Sequence, residues 1–320
     1  MKAVVLVGGE GTRLRPLTFK TPKQMLPVGR RPMIERVLEW LAGHGVDQAV
    51  LSLGYRPDAF LKAYPDGQSC GVQLHYAVED SPLDTAGAIR FAALEAGVDS
   101  TFVVVNGDVI TDLDVTALVE FHRRHGAEAT IALTPVEDPS RFGVVPTDED
   151  GRVLAFIEKP PPGQAPTNLI NAGTYVLEPS VLGRIPGGRR VSIERETFPA
   201  MVAEGHLYAL GCSSRWLDAG TPATYLDANL AYAPMGAGGR GVTGSVLGED
   251  VTVGRGAVVE RSVVMDRAVI GAGAAVRDSI IGPGARIGDG ARVTNRSVIG
   301  EDYVVEAGAE LSEARLPQPG

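Results

Sequence analysis

Between Leu247 and Leu311 an apolar residue returns at nearly every sixth position: Leu247, Val253, Val259, Val264, Ile270, Val276, Ile281, Ile287, Val293, Ile299, Val305 and Leu311. Nine of the eleven intervals are six residues and two are five. Glycine often follows the anchor, at Gly248, Gly254, Gly271, Gly282, Gly288 and Gly300. A repeat of six is the mark of a parallel β-helix, whose three-sided coils turn one small apolar residue into each inward corner. At about 18 residues per coil, roughly 65 residues make between three and four coils. The end of the chain is thereby committed to a solenoid.

The region before it reads differently. From residue 1 to about 230, strand-like runs alternate with helical ones. Lys2 to Val7 is a short buried strand. Pro32 to Gly43 has helical spacing, with proline at its start and glycine at its stop. Strands are expected at Gln48–Leu53, Val72–Val78, Thr101–Val105 and Ala129–Pro135, and helices at Pro57–Tyr64, Thr85–Ala96, Val115–His125 and Ile193–Glu204. This rhythm argues for an α/β fold, a doubly wound and mostly parallel sheet with helices on both faces. Ligands of such sheets sit beyond the carboxyl ends of the strands. Ala233 to Gly244 is a glycine-rich connector. The expected organisation is therefore a domain over 1–232, a linker over 233–244 and the β-helix over 245–320.

Composition narrows the function. A net charge of −9 and a pI near 5.2 leave no electrostatic footprint for nucleic acid, so a site for anionic substrates must be a local basic patch. Cys70 and Cys212 are too few for a disulfide framework and suit a reducing compartment. The first strand leaves no room for a signal peptide, and glycine, proline or charge interrupts every apolar run before membrane-spanning length. A cytoplasmic protein is expected.

A local basic patch stands directly after the first strand. Gly8, Gly9, Glu10, Gly11, Thr12, Arg13, Leu14, Arg15, Pro16, Leu17 and Thr18 are followed by Pro22, Lys23, Gln24, Met25, Leu26 and Pro27. Glycines at a strand end let backbone N–H groups reach phosphate oxygens, and Arg13, Arg15 and Lys23 can neutralise a polyphosphate. A P-loop is excluded because no Gly-Lys-Ser/Thr ending occurs, and a Rossmann fingerprint because Arg13 or Leu14 stands where its third glycine belongs. The string resembles the signature G-G-x-G-T-R-L-x-P-L-T…P-K-x-x-L-P of the sugar-nucleotide pyrophosphorylases.

That resemblance implies a Rossmann-like doubly wound mixed sheet followed by a left-handed parallel β-helix. It implies transfer of a nucleotidyl group from an NTP to a sugar 1-phosphate, with release of pyrophosphate. Gly8, Gly9, Gly11 and Thr12 would bind nucleotide, and Arg13 and Lys23 would act in catalysis. Asn106-Gly107-Asp108-Val109 and Trp216-Leu217-Asp218-Ala219-Gly220-Thr221 resemble the family's two metal motifs, which implies Mg²⁺ on Asp108 and Asp218. Taken alone, each aspartate is as well explained as a turn residue. Glu158-Lys159-Pro160 resembles the E-K-P motif, whose lysine contacts the sugar phosphate. Asn171-Ala172-Gly173 resembles the N-A-G motif that bonds sugar hydroxyls, and Arg141-Phe142-Gly143 a turn beside the sugar. Glu178 reads as ordinary surface.

The base is addressed by Glu79-Asp80-Ser81-Pro82-Leu83-Asp84-Thr85-Ala86-Gly87. Uridylyl and thymidylyl relatives usually carry glutamine there. Guanine presents two donors on one edge, which a carboxylate accepts together, so Glu79 favours guanine, with Asp84 and Gly87 beside it. Asp84 replaces the family's usual glycine, and aspartate tolerates φ > 0 better than most residues. Val191 to Ala209 resembles a stretch of the mannose-1-phosphate guanylyltransferases within the family. Glucose-1-phosphate thymidylyl- or uridylyltransfer is the alternative specificity. A catalytically silent regulatory subunit is the alternative class, and the presence of Arg13, Lys23 and both aspartates speaks against it. Acyl transfer in the repeat is disfavoured because all five histidines precede the linker. The expected partners are an NTP, a sugar 1-phosphate and further copies of the chain through the β-helix.

Overall fold

The computed structural model describes residues 1–233 and 241–318, so most of the expected linker lies outside the described residues. The chain divides into two units, Met1–Gly8 with Val37–Trp216, and Gly9–Arg36 with Leu217–Gly320.

The first unit is built on one mixed ten-stranded sheet. Its spine runs in the order Leu169–Leu177, Phe102–Asn106, Lys2–Leu6, Gln48–Leu53, Val72–Val78. Lys2–Leu6 is parallel to both of its neighbours, and Gln48–Leu53 is parallel to Val72–Val78. Lys2–Leu6 and Phe102–Asn106 carry continuous apolar runs, and Gln48–Leu53 one broken only by Ser52, because these strands are buried on both faces. Helices Asp84–Glu95 and Val115–His125 follow their strands as expected, and the second is capped by the Asp114 carboxylate and stopped by left-handed Gly126.

Two elements depart from the expected pattern. Leu169–Leu177 is a nine-residue strand at the heart of the sheet, antiparallel to Phe102–Asn106 and Ala129–Pro135. Its register slips between Asn171 and Tyr175, where Gly173 has φ 72°, and this bulge breaks the alternation that marks a strand. The expected helix Ile193–Glu204 begins as a wider π turn over Ile193–Thr197, in which Phe198 N–H donates to Ile193 O. Pro199 has no N–H and its ring crowds the carbonyl four residues back, so the turn opens before α-helix resumes at Phe198–Glu204.

Glu178 is more than surface. His122 is 1% exposed, with Nε2 3.1 Å from Glu178 Oε1 and Nδ1 2.9 Å from Thr130 Oγ1. A neutral ring that donates to Glu178 and accepts from Thr130 satisfies both nitrogens. Burial pushes the His122 pKa below its usual value, against the opposing pull of Glu178. The folded state therefore binds fewer protons than the unfolded chain just below pH 6.5, and stability falls as pH drops through that window. Urea midpoints are expected to decline more steeply between pH 7 and pH 5.5 in the parent than in His122→Gln. Parallel slopes would remove His122 as the cause.

Among its described residues the second unit carries fourteen short parallel strands in three sheets of five, five and four, consistent with a left-handed β-helix. Val242–Thr243 and Arg315–Leu316 belong to it, so the coils number more than the repeat alone suggests. The anchors Val259, Val264, Ile270, Val276 and Ile281 are buried on the strands themselves, and glycine takes the corners. A Cβ at Gly248 would stand 2.2 Å from Asp266 Oδ1, and one at Gly254 would stand 2.7 Å from the backbone of Gly271 and Ala272. Buried serines run along one edge: Ser262 N–H donates to Ser245 Oγ and Ser279 N–H to Ser262 Oγ. Among the described residues no helix is long and apolar enough to cross a membrane.

Candidate active site

The candidate residues fall on both units, and each set has its own construction. On the first unit, Gly8 ends the leading strand, and its carbonyl accepts from Tyr55 N–H at 3.3 Å. A Cβ on Gly8 would lie 3.6 Å from Glu79 Oε1, so the Glu79 carboxylate stands beside the strand end. Ser52 Oγ donates to Glu79 Oε1 at 3.0 Å and Leu83 N–H to Oε2 at 2.9 Å. Both oxygens are thus oriented, and each keeps a second acceptor direction. Asp84 has φ 61°, the left-handed conformation that its side chain tolerates, and its Oδ1 accepts from Thr85 N–H at 2.8 Å.

The segment that resembles guanylyltransferases brackets this loop. Ala86 and Gly87 N–H both donate to Val191 O, at 2.9 and 3.2 Å, and Val191 N–H donates to Leu83 O. Thr85 Oγ1 donates to Glu194 Oε2 at 2.8 Å and accepts from Ile193 N–H. A Cβ at Gly87 would come within 2.9 Å of Leu83 Cβ, which explains the glycine. Glu79→Gln retains the size but loses one acceptor and the charge. It is expected to lower kcat/KM for GTP about ten- to hundredfold relative to UTP, measured by pyrophosphate release. An unchanged ratio would exclude Glu79 from base selection.

Three further motifs meet through one aromatic side chain. Trp216 Nε1 donates to Ala172 O at 2.9 Å, and its ring packs edge-on to Phe142 at 5.5 Å. Asn171 Oδ1 accepts from Gly173 N–H at 2.9 Å and its Nδ2 donates to the Tyr175 hydroxyl, also at 2.9 Å. Burial and the charge of Glu194 push the Tyr175 phenol well above its usual pKa, so it stays un-ionised. Gly143 has no space for a side chain, because a Cβ would stand 2.8 Å from the Phe156 ring and 3.2 Å from Glu158 Oε2. Lys159 holds φ 50° and pairs with Glu158 Oε1 at 3.2 Å, a strained backbone of the kind that collects at functional sites. Asp108 is half-buried after the strand Phe102–Asn106. Gly107 behind it is locked, since a Cβ would meet Val7 Cγ1 at 2.6 Å.

On the second unit the glycine loop folds on itself. Gly11 has φ 64°, and its carbonyl accepts from Leu14 N–H at 2.9 Å and Thr18 Oγ1 at 2.8 Å. Its Cα faces Lys23 Cβ and Thr18 so closely that a Cβ would stand 3.0 Å from each. Lys23 is 7% exposed, whereas Thr12 and Arg13 are exposed. Arg15 pairs with Glu10 at 3.2 Å. A Cβ on Gly9 would meet nothing within 4 Å, which leaves an open face over its backbone. At Gly220 a Cβ would stand 2.7 Å from both Arg13 Nη2 and Asp218 Oδ1, so a guanidinium and a carboxylate close on one glycine. Among the described residues no three His, Cys, Asp or Glu side chains form a group that could hold a metal ion.

Thr85, Glu194 and Tyr175 are tied to these residues as well, and none has a role assigned by the motifs. A threonine opening a helix and a glutamate inside one carry no local signal. Thr85 and Glu194 gain their place through a contact across more than a hundred residues.

An α/β sheet with an oriented carboxylate beside the end of its first strand, and a glycine loop that carries Arg13, Arg15 and Lys23, are features suited to a nucleotide polyphosphate. The family model described as nucleotidyl transferase matches residues 2–234, and that described as GMPPB C-terminal domain matches 241–317. The chain belongs to the nucleotidyl transferase family. It is 42% identical to a mannose-1-phosphate guanylyltransferase of Mycobacterium tuberculosis over 80% of this chain and 76% of that one. A mannose-1-phosphate guanyltransferase of Emericella nidulans is 45% identical over 72% of this chain, which spans 64% of the fungal protein's length. The solved structure of HddC from Yersinia pseudotuberculosis superposes with a TM-score of 0.63 at 29% identity, covering 72% of this chain and 99% of that one. A putative glucose-1-phosphate thymidylyltransferase from Bacillus anthracis gives 0.64 at 27% identity, covering 75% and 98%.

Proposed function

We propose that the protein transfers a guanylyl group from GTP to mannose 1-phosphate, giving GDP-mannose and pyrophosphate. The observation that carries the guanine specificity is the Glu79 carboxylate, held by Ser52 and Leu83 beside Gly8 as a fixed pair of acceptors. The names of the mycobacterial and fungal relatives support the same base and sugar.

A phosphate oxygen of the sugar 1-phosphate attacks the α-phosphorus of GTP in line, and pyrophosphate leaves without a covalent enzyme intermediate. The protein's work is positioning and charge neutralisation. Backbone N–H groups of Gly8, Gly9 and Gly11 cradle the triphosphate. Arg13 and Lys23 stabilise the departing pyrophosphate, a role worth about 3 kcal/mol for each well-placed donor. Lys159 aligns the attacking phosphate, while Glu158, Asn171 and the Gly143 backbone hold the sugar. Asp108 and Asp218 offer hard oxygen ligands that fit Mg²⁺, and the missing Cβ of Gly220 leaves space beside Asp218 Oδ1. Bound Mg²⁺ supplies charge neutralisation on the phosphates. A cytoplasmic location and homo-oligomerisation through the β-helix belong to the same reading, supported by Cys70 and Cys212, which form no disulfide, and by the repeat.

The test is a panel of four NTPs against mannose, glucose and N-acetylglucosamine 1-phosphates, read by pyrophosphate release. GTP with mannose 1-phosphate is expected to be fastest. A lead for dTTP or UTP would replace guanylyl with thymidylyl or uridylyl transfer, and no release with any pair would leave the silent-subunit reading.

A further inference from the structure

Although it follows directly on the first strand of the sheet, the glycine loop is grouped with the β-helix: Gly9–Arg36 and Leu217–Gly320 form one unit. We propose that the last coil of the β-helix is the platform that positions the triphosphate-gripping loop, and that Arg315 is a positioning residue for Arg13. The proposal rests on the nucleotidyl-transfer reading for its catalytic consequence and on geometry alone for the platform.

One face of the β-helix differs from the other two. Alternation along its strands turns Leu247, Val264, Ile281 and Ile299 inward and Val246, Val263, Ile280 and Val298 outward. The outward four are nevertheless at most 4% exposed. Outward positions on a second face, at Thr252, Arg286 and Val304, are exposed. The buried ladder is thus a docking face, and its occupants are parts of the same unit. Helix Pro222–Leu230 contacts the strand Val263–Val264. Segment 9–36 is tied in turn to that helix, through Gly29 N–H to Asn229 Oδ1 at 2.9 Å and the Tyr225 hydroxyl to Pro27 O.

The loop also reaches the β-helix directly, at both ends of this ladder. Arg30 Nε donates to Leu247 O at 3.2 Å at the first rung. At the last rungs a Cβ on Gly300 would stand 3.1 Å from Pro16 Cβ, so the loop lies flat on that glycine. Lys20 Nζ lies 3.6 Å from Glu301 Oε1 and 3.8 Å from Asp302 Oδ2. The fifth rung replaces the apolar residue by Arg315, whose Nη1 donates to Arg13 O at 3.4 Å. Within the turn, Leu14, Arg15 and Leu17 N–H groups donate to the carbonyls of Gly11, Thr12 and Leu14. The Arg13 carbonyl takes its donor from the β-helix instead. The main chain of Arg13 is therefore held by Arg315, while its guanidinium lies against Gly220 beside Asp218.

A cation that must meet charge developing on the leaving pyrophosphate is sensitive to small displacements of its backbone. Arg315→Ala is expected to lower kcat about tenfold with a smaller change in the KM for GTP. In substrate-free protein it is expected to speed amide exchange across residues 11–19 several-fold, with the thermal midpoint unchanged. Arg315→Lys restores most of both, because a donor of similar reach returns. Arg277→Ala, on another face and paired with Glu260, behaves as the parent. Parent-like kcat and exchange in Arg315→Ala would overturn the proposal, as would a loss that tracks a lowered thermal midpoint and is not restored by lysine. Faster exchange in Arg315→Ala, with a parent enzyme inert towards every NTP and sugar phosphate, upholds the platform and rejects the nucleotidyl-transfer reading instead.

Discussion

Asp108→Asn is expected to reduce pyrophosphate release by about 10³-fold while leaving the fold intact. The substitution keeps the size of the side chain but removes its charge and replaces one acceptor oxygen by a donor. Asp108 is half-buried, and its backbone is fixed from behind by Gly107, whose N–H donates to Leu6 O at 3.0 Å. The substitution leaves that backbone hydrogen bond in place, so the fold is expected to survive it. The loss should fall on kcat and kcat/KM together, the signature of an interaction made in the transition state. Turnover near the parent value in a folded Asp108→Asn protein would remove Asp108 from the proposed metal site.

Gly220→Ala is expected to cost about 10²-fold in kcat, although it adds one methyl group. The new Cβ would stand 2.7 Å from both Arg13 Nη2 and Asp218 Oδ1. Arg13 can swing aside, being exposed and long, and Asp218 must rotate its carboxylate away, so both groups leave the places they hold beside Gly220. Wild-type kinetics in this variant would mean that neither group needs its observed position. A Gly220→Ala protein with normal kcat and raised KM would assign the pair to ground-state binding alone.

These expectations differ in how far a reader of the sequence could have reached them. The β-helix was legible because its period is enforced by geometry that repeats every coil, so that each anchor needs an inward apolar side chain. The leading strand, the glycine loop and the helix Val115–His125 were legible for a local reason: burial, tight turns and caps act within a few residues. Leu169–Leu177 was not, because the bulge that aims Asn171 also erases the strand's alternation. The wider turn at Ile193–Thr197 hid behind a helical pattern that Pro199 interrupts. A doubled apolar signal did exist for the docking face. Val246-Leu247, Val263-Val264, Ile280-Ile281 and Val298-Ile299 are pairs at one side of each coil, and the second member alone would fill the interior.

By itself the sequence determined the two architectures, the polyphosphate chemistry and the residue types at each motif, since these follow from periodicity, backbone freedom and charge within short stretches. Tertiary structure decided which motifs touch. Trp216 joins Ala172 and Phe142, Glu194 reaches Thr85 across the base loop, and the glycine loop packs with the β-helix although it follows directly on the first strand. The physical reason is that a contact across tens to hundreds of residues leaves no periodic trace. It depends on where the whole chain brings two surfaces together, and no local preference encodes that.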